Sequence, residues 1–122
     1  MSKKILVVED TEDNRQILRD LLGMAGYEMV EAHDGAEGVA KAAEHRPDLI
    51  LMDIQMPVMD GYEATRRIKA NPELKAIPIV AVTSYALSGD EQKTRDAGCD
   101  AYIAKPYSPR QMLAKVREIL GS

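Results

Sequence analysis

The sequence predicts a doubly wound α/β fold, and three observations carry that prediction. Apolar runs without polar alternation recur: KILVV at 4–8, LILM at 49–52 and IPIVAV at 77–82. Such runs suit strands buried on both faces of a parallel sheet. Stretches with apolar residues at helical spacing lie between them, so strand and helix alternate five times within 122 residues,. The apolar runs also end in polar groups, Glu9, Asp53 and Thr83, at the strand ends where open α/β sheets bind ligands.

Taken in order, residues 4–9 form the first strand, and the acidic loop EDTEDN follows. Thr11 or Asp13 is suited to cap the next helix. Its stripe is Ile17, Leu18, Leu21 and Leu22, and Gly23 or Gly26 stops it,. EMVEA at 28–32 is a second strand, shorter and more polar. His33-Asp34-Gly35 turns into a helix with Ala36, Val39, Ala40 and Ala43 on one face, closed by Pro47-Asp48. The third strand, 49–52, runs straight into Asp53. Pro57 disfavours helix at Met56, and Asp60-Gly61 turns into a third helix that carries Tyr62, Thr65 and Ile68 inward as far as Asn71-Pro72.

Residues 77–83 form the fourth strand. A fourth helix is expected over 84–98, but its apolar pattern is thin, with Leu87 and Ala97 nearly its only anchors. AYIA at 101–104 is a short fifth strand, and Lys105-Pro106 breaks it. The last helix shows Met112, Leu113, Val116, Ile119 and Leu120 and ends at Gly121. Strands one, three and four are apolar throughout and so central; strands two and five are mixed and so edges. With right-handed crossovers, the order becomes 2-1-3-4-5, the flavodoxin-like (βα)5 arrangement.

The length suits one domain spanning 1–122, large enough to bury about two-thirds of its unfolded surface without a disulfide or structural metal. The single Cys99 cannot form an intramolecular bridge, which suits a reducing cytoplasm. No apolar segment reaches membrane-span length, and the N-terminal residues show no signal-peptide pattern. A net charge of -4 argues against direct nucleic-acid binding,.

Strands of a parallel sheet point one way, so their C-terminal ends share a rim. That rim collects Glu9 and Asp10, Asp53, Thr83 and Lys105. Three crowded carboxylates repel by a few kcal/mol at intermediate dielectric, roughly, and one lysine does not neutralise them. A hard divalent cation with oxygen ligands relieves the repulsion, and Mg²⁺ suits a small site that retains waters. A carboxylate nucleophile, a cation and a lysine are the equipment of phosphoryl transfer. Asp53, at the end of a central strand, is the candidate nucleophile.

VVED, LILMDIQMPVMDG, IPIVAVTSYA and AYIAKP, in this order and spacing, resemble the receiver domain of two-component response regulators over residues 3–120. The likeness is to stand-alone receivers without an output domain. It implies that Asp53 accepts a phosphoryl group from a phosphohistidine on a histidine kinase or histidine phosphotransfer protein, as a phosphorelay switch that catalyses only its own phosphorylation and dephosphorylation. Asp10 and Asp53 are then Mg²⁺ ligands, with Glu9 acting through water and Gln55 contributing its backbone carbonyl. Thr83 and Lys105 hold the phosphoryl oxygens, and Tyr102 turns inward when Thr83 moves. Output to a downstream protein target then runs through the fourth helix, fifth strand and last helix. The Lys105-Pro106 bond is expected to be cis.

Two other classes fit the fold less well. An FMN-binding flavodoxin needs a first loop rich in Ser, Thr and Gly to cradle phosphate, whereas EDTEDN repels it. A haloacid-dehalogenase-like phosphatase wants a second Asp two residues after the nucleophile, where this chain has Gln55.

Overall fold

The computed structural model describes residues 3–54, 56, 59–83 and 91–121. Five strands and five helices alternate: β1 (Lys4–Val8), α1 (Glu12–Met24), β2 (Glu28–Ala32), α2 (Gly35–His45), β3 (Leu49–Asp53), α3 (Gly61–Ala70), β4 (Ile79–Thr83), α4 (Glu91–Ala97), β5 (Ala101–Ala104) and α5 (Pro109–Leu120). The strands form one parallel sheet in the order β2-β1-β3-β4-β5. This is the predicted flavodoxin-like topology. Every residue of β3 and β4 is buried, while β2 and β5 are partly exposed as edge strands.

Alternating strand side chains divide the core in two. Leu6, Val8, Ile50, Met52, Ile79 and Ala81 pack with α2 and α3 on one face. Ile5, Val7, Leu49, Leu51, Val80 and Val82 pack with α1 and α5 on the other. The sheet is thus covered on both sides, which is why its central strands read as continuous apolar runs.

Some local details differ from the sequence reading. In α1, Leu18 and Leu22 are buried but Ile17 is 57% exposed, because it faces a groove beside Lys105 and Tyr107 rather than the sheet. Thr11 takes the N-cap position without a side-chain capping bond. The helix runs past Gly23, and Gly26 makes the left-handed turn after it at φ 91°.

Helix α2 buries Gly35, Gly38 and Ala42, while Ala36, Ala40 and Ala43 are exposed. An added Cβ at Gly38 would stand 2.9 Å from a Val8 methyl. Glycines let the helix approach the sheet closely, and a hydrophobic count does not register that face. Strand β4 starts at Ile79 rather than 77, and the turn before it buries Leu74. Of the fourth helix, Glu91–Ala97 is described. The expected portion over 84–90, with Leu87, lies outside the described residues. The Lys105-Pro106 bond is cis.

Candidate functional site

β1 delivers Glu9 and Asp10 to the C-terminal rim, β3 delivers Asp53, β4 Thr83, and the loop after β5 delivers Lys105. β3 and β4 pair Asp53 with Val82, so Thr83 sits one residue further along the rim. The Lys105 N–H donates to the Thr83 carbonyl at 2.8 Å. That bond ties the hydroxyl-bearing residue to the lysine through the backbone.

The side chains converge. Lys105 Nζ lies 3.4 Å from Asp53 Oδ1 and 3.8 Å from Glu9 Oε2. One carboxylate oxygen from each of Glu9, Asp10 and Asp53 lies within 4.8 Å of the others. Asp53 and Glu9 are only 3% and 4% exposed, whereas Asp10 is exposed. This donor set fits a hard cation: three oxygens of one sign, close together, with one side open to water. Among the described residues it is the group of three His, Cys, Asp or Glu so placed. Glu12 and Asp13 stay in the solvated first turn of α1, as their sequence position suggests.

Glu9 is held from two directions. Its Oε1 accepts from the Thr11 N–H at 3.2 Å and from Asn14 Nδ2 at 3.3 Å, while Oε2 faces Lys105. Burial pushes the Glu9 carboxyl up. A hydrogen bond with Asp53, the Lys105 charge, the Thr11 N–H and the Asn14 amide outweigh that and hold it below its ordinary value,. Tyr107 stands nearby: burial raises its phenol, and the charges of Glu9 and Asp53 add to the shift.

A groove of about 550 Å³ opens onto these groups, lined by Glu9, Asn14, Ile17, Lys105, Pro106 and Tyr107. It leaves the rim open to solvent, with apolar Ile17 at its edge. Met52 and Met56 are buried in the core under the rim and Met59 packs against it. Tyr102 is half-buried against the same core and borders a cavity of about 190 Å³ with Thr94, Arg95, Cys99 and Lys115. Gln55 lies outside the described residues.

Two residues near the site escape sequence reading, Asn14 and Arg15. Asn14 contacts Glu9 across one turn of chain. Arg15 Nη1 donates to the Glu9 carbonyl at 2.6 Å. No periodicity marks either, since both serve backbone and carboxylate geometry that only the folded loop creates.

Residues 5–117 match the family described as the response regulator receiver domain. The polar-differentiation response regulator DivK of Brucella anthropi is 46% identical over 121 residues, covering 99% of this chain and 98% of that protein. The receiver domain of sensor histidine kinase PA1611 from Pseudomonas aeruginosa, whose structure has a magnesium ion coordinated in its active site cleft, superposes with a TM-score of 0.92 at 37% identity, over 100% of both chains. Chemotaxis protein CheY4 of Vibrio cholerae superposes with a TM-score of 0.93 at 32% identity, over 98% of this chain and 100% of that one.

Proposed function

The chain belongs to the response regulator receiver family, and from that premise we propose that it is a phosphorylatable switch with Asp53 as acceptor. The observation that carries this reading is the Lys105 ammonium 3.4 Å from Asp53 Oδ1, beside a carboxylate cluster within 4.8 Å. An Asp53 oxygen attacks the phosphorus of a phosphohistidine. The new O–P bond forms as the P–N bond breaks, and the electron pair leaves with the imidazole nitrogen. Lys105 offsets charge on the phosphoryl oxygens, and Thr83 donates its hydroxyl to one of them.

Asp10, Asp53 and Glu9, the last through water, are the residues suited to hold Mg²⁺, together with the Gln55 carbonyl. Bound there, Mg²⁺ supplies charge neutralisation for the acceptor and the phosphoryl oxygens. The magnesium in the PA1611 receiver supports this assignment. The partners are a histidine kinase or a phosphotransfer protein on the input side, and a protein target that reads α4, β5 and α5, with Tyr102 as the reporter of Thr83.

Incubation with acetyl phosphate or phosphoramidate and Mg²⁺ should add one phosphoryl group by intact mass. EDTA should prevent it, and Asp53→Asn should abolish it. Undiminished labelling of Asp53→Asn would rule out Asp53 as the acceptor.

A further inference from the structure

Arg15 makes three contacts that together span the region behind the acidic loop. Nη1 donates to the Glu9 carbonyl at 2.6 Å, Nη2 to Glu12 Oε2 at 2.7 Å, and Nε faces Glu31 Oε1 at 3.4 Å. Its side chain is only 14% exposed. Glu31 belongs to edge strand β2 and is braced in turn by Arg19, at 2.6 Å and 2.8 Å. The guanidinium therefore ties the loop after β1 to a neighbouring strand and to the first turn of α1.

We propose that Arg15 is a positioning residue for cation binding. By fixing the Glu9 carbonyl it sets the Glu9–Asp10 peptide, and so the direction in which Asp10 presents its carboxylate. The inference rests on the reading of Glu9, Asp10 and Asp53 as a Mg²⁺ site.

Three considerations support it. A peptide plane is rigid, so a charge-assisted bond to its carbonyl constrains the residue that follows. The helix cap does not do this work, because the Thr11 hydroxyl makes no capping bond. The Arg15 charge is also matched by Glu12 and Glu31, so what reaches the acidic loop is chiefly geometry. Losing a group that orients a ligand in this way typically costs about 10–100-fold in metal affinity.

Charge and geometry predict opposite signs. If Arg15 acted only as a nearby positive charge, neutralising it would tighten Mg²⁺ binding. If it positions Asp10, neutralising it should weaken binding, by about tenfold.

The experiment compares wild type, Arg15→Gln, Arg15→Ala and Asp10→Asn by NMR titration with Mg²⁺ alone, with melting temperature in EDTA measured alongside. Weaker Mg²⁺ binding in Arg15→Gln, with the metal-free fold intact by its amide spectrum, is the expected result. Arg15→Gln keeps the helical stem and carries the measurement if Arg15→Ala does not fold. Unchanged or tighter binding in Arg15→Gln, with Asp10→Asn impaired, overturns this inference alone. If neither Arg15→Gln nor Asp10→Asn alters binding, the ion binds elsewhere and the site reading falls together with this inference.

Discussion

Position 9 carries a glutamate whose length lets one carboxylate serve two structures. Oε1 is taken by the Thr11 N–H and Asn14, and Oε2 is turned to Lys105 at 3.8 Å. An Asp at this position would be one methylene shorter. Behind it, Glu31 shows the same economy of charge. A hydrogen bond from Arg19 lowers its carboxyl, burial works against that, and Arg15 adds to the lowering. A carboxylate lowered in the folded state favours folding above its unfolded value, and that contribution is lost as pH falls through its folded value. Denaturant stability of the metal-free protein should therefore decline as pH drops below about 4.3, the unfolded glutamate value. Glu31→Gln should make that decline shallower, by well under the ~1.4 kcal/mol per pH unit that one proton allows, since solvent screens the pair. An acid limb of unchanged slope in Glu31→Gln would contradict the account. Glu9, Asp10, Asp53, Thr83 and Lys105 were legible in sequence because each follows an apolar strand and a parallel sheet brings such ends together. Arg15 was not, because its partner is a carbonyl, which every residue has.

At the scale of elements, the approach of α3 to β3 fixes where Asp53 stands. An added Cβ on Gly61 would lie 2.5 Å from the Asp53 carbonyl oxygen and 2.8 Å from Ile54 Cα. The Gly61 N–H donates to the Ile54 carbonyl at 3.1 Å, and Asp60 caps the helix through the Glu63 N–H at 3.0 Å. Backbone stands against backbone here, so moving the Ile54 side chain, whose Cδ1 would also lie at 2.8 Å, does not relieve the clash. Gly61→Ala should cost about 1–3 kcal/mol by overpacking and should slow labelling of Asp53 by acetyl phosphate. Wild-type stability in a denaturant titration would contradict the close-packing argument. The Asp-Gly pair was legible as a turn, but the contact that requires glycine was not, because it joins residues brought together by the fold. The buried face of α2 departs from its alanine spacing for the same reason, with Gly38 against Val8 invisible to a count of apolar residues. The capping box at the start of α5, Ser108 with Gln111, is written plainly in S-P-R-Q,.

Across the whole molecule, the rim touches both halves of the core, because Asp53 and Thr83 end two of the three central strands on which both clusters rest. The α4 side contributes little to that core among its described residues. In α4, Thr94 and Ala97 are the buried side chains among those described, and neither is large. Tyr102 sits beside them at the edge of a 190 Å³ cavity. The Lys105 N–H bond to the Thr83 carbonyl joins the end of β4 to the end of β5, so a displacement at Thr83 has a direct path to this side. Few buried contacts mean a low local opening free energy, and a lightly held element is the one a small bias can shift. Hydrogen exchange with and without beryllofluoride, an analogue of the phosphoryl group, should therefore change most over residues 84–108, with α1 and α2 altered least. Tyr102→Ala should reduce the change over α4 while leaving Asp53 labelling largely intact, because Tyr102 lies away from the acceptor. If beryllofluoride alters protection chiefly in α1 or α2, the output surface lies toward the β2 edge of the sheet and Tyr102 is ordinary edge-strand packing.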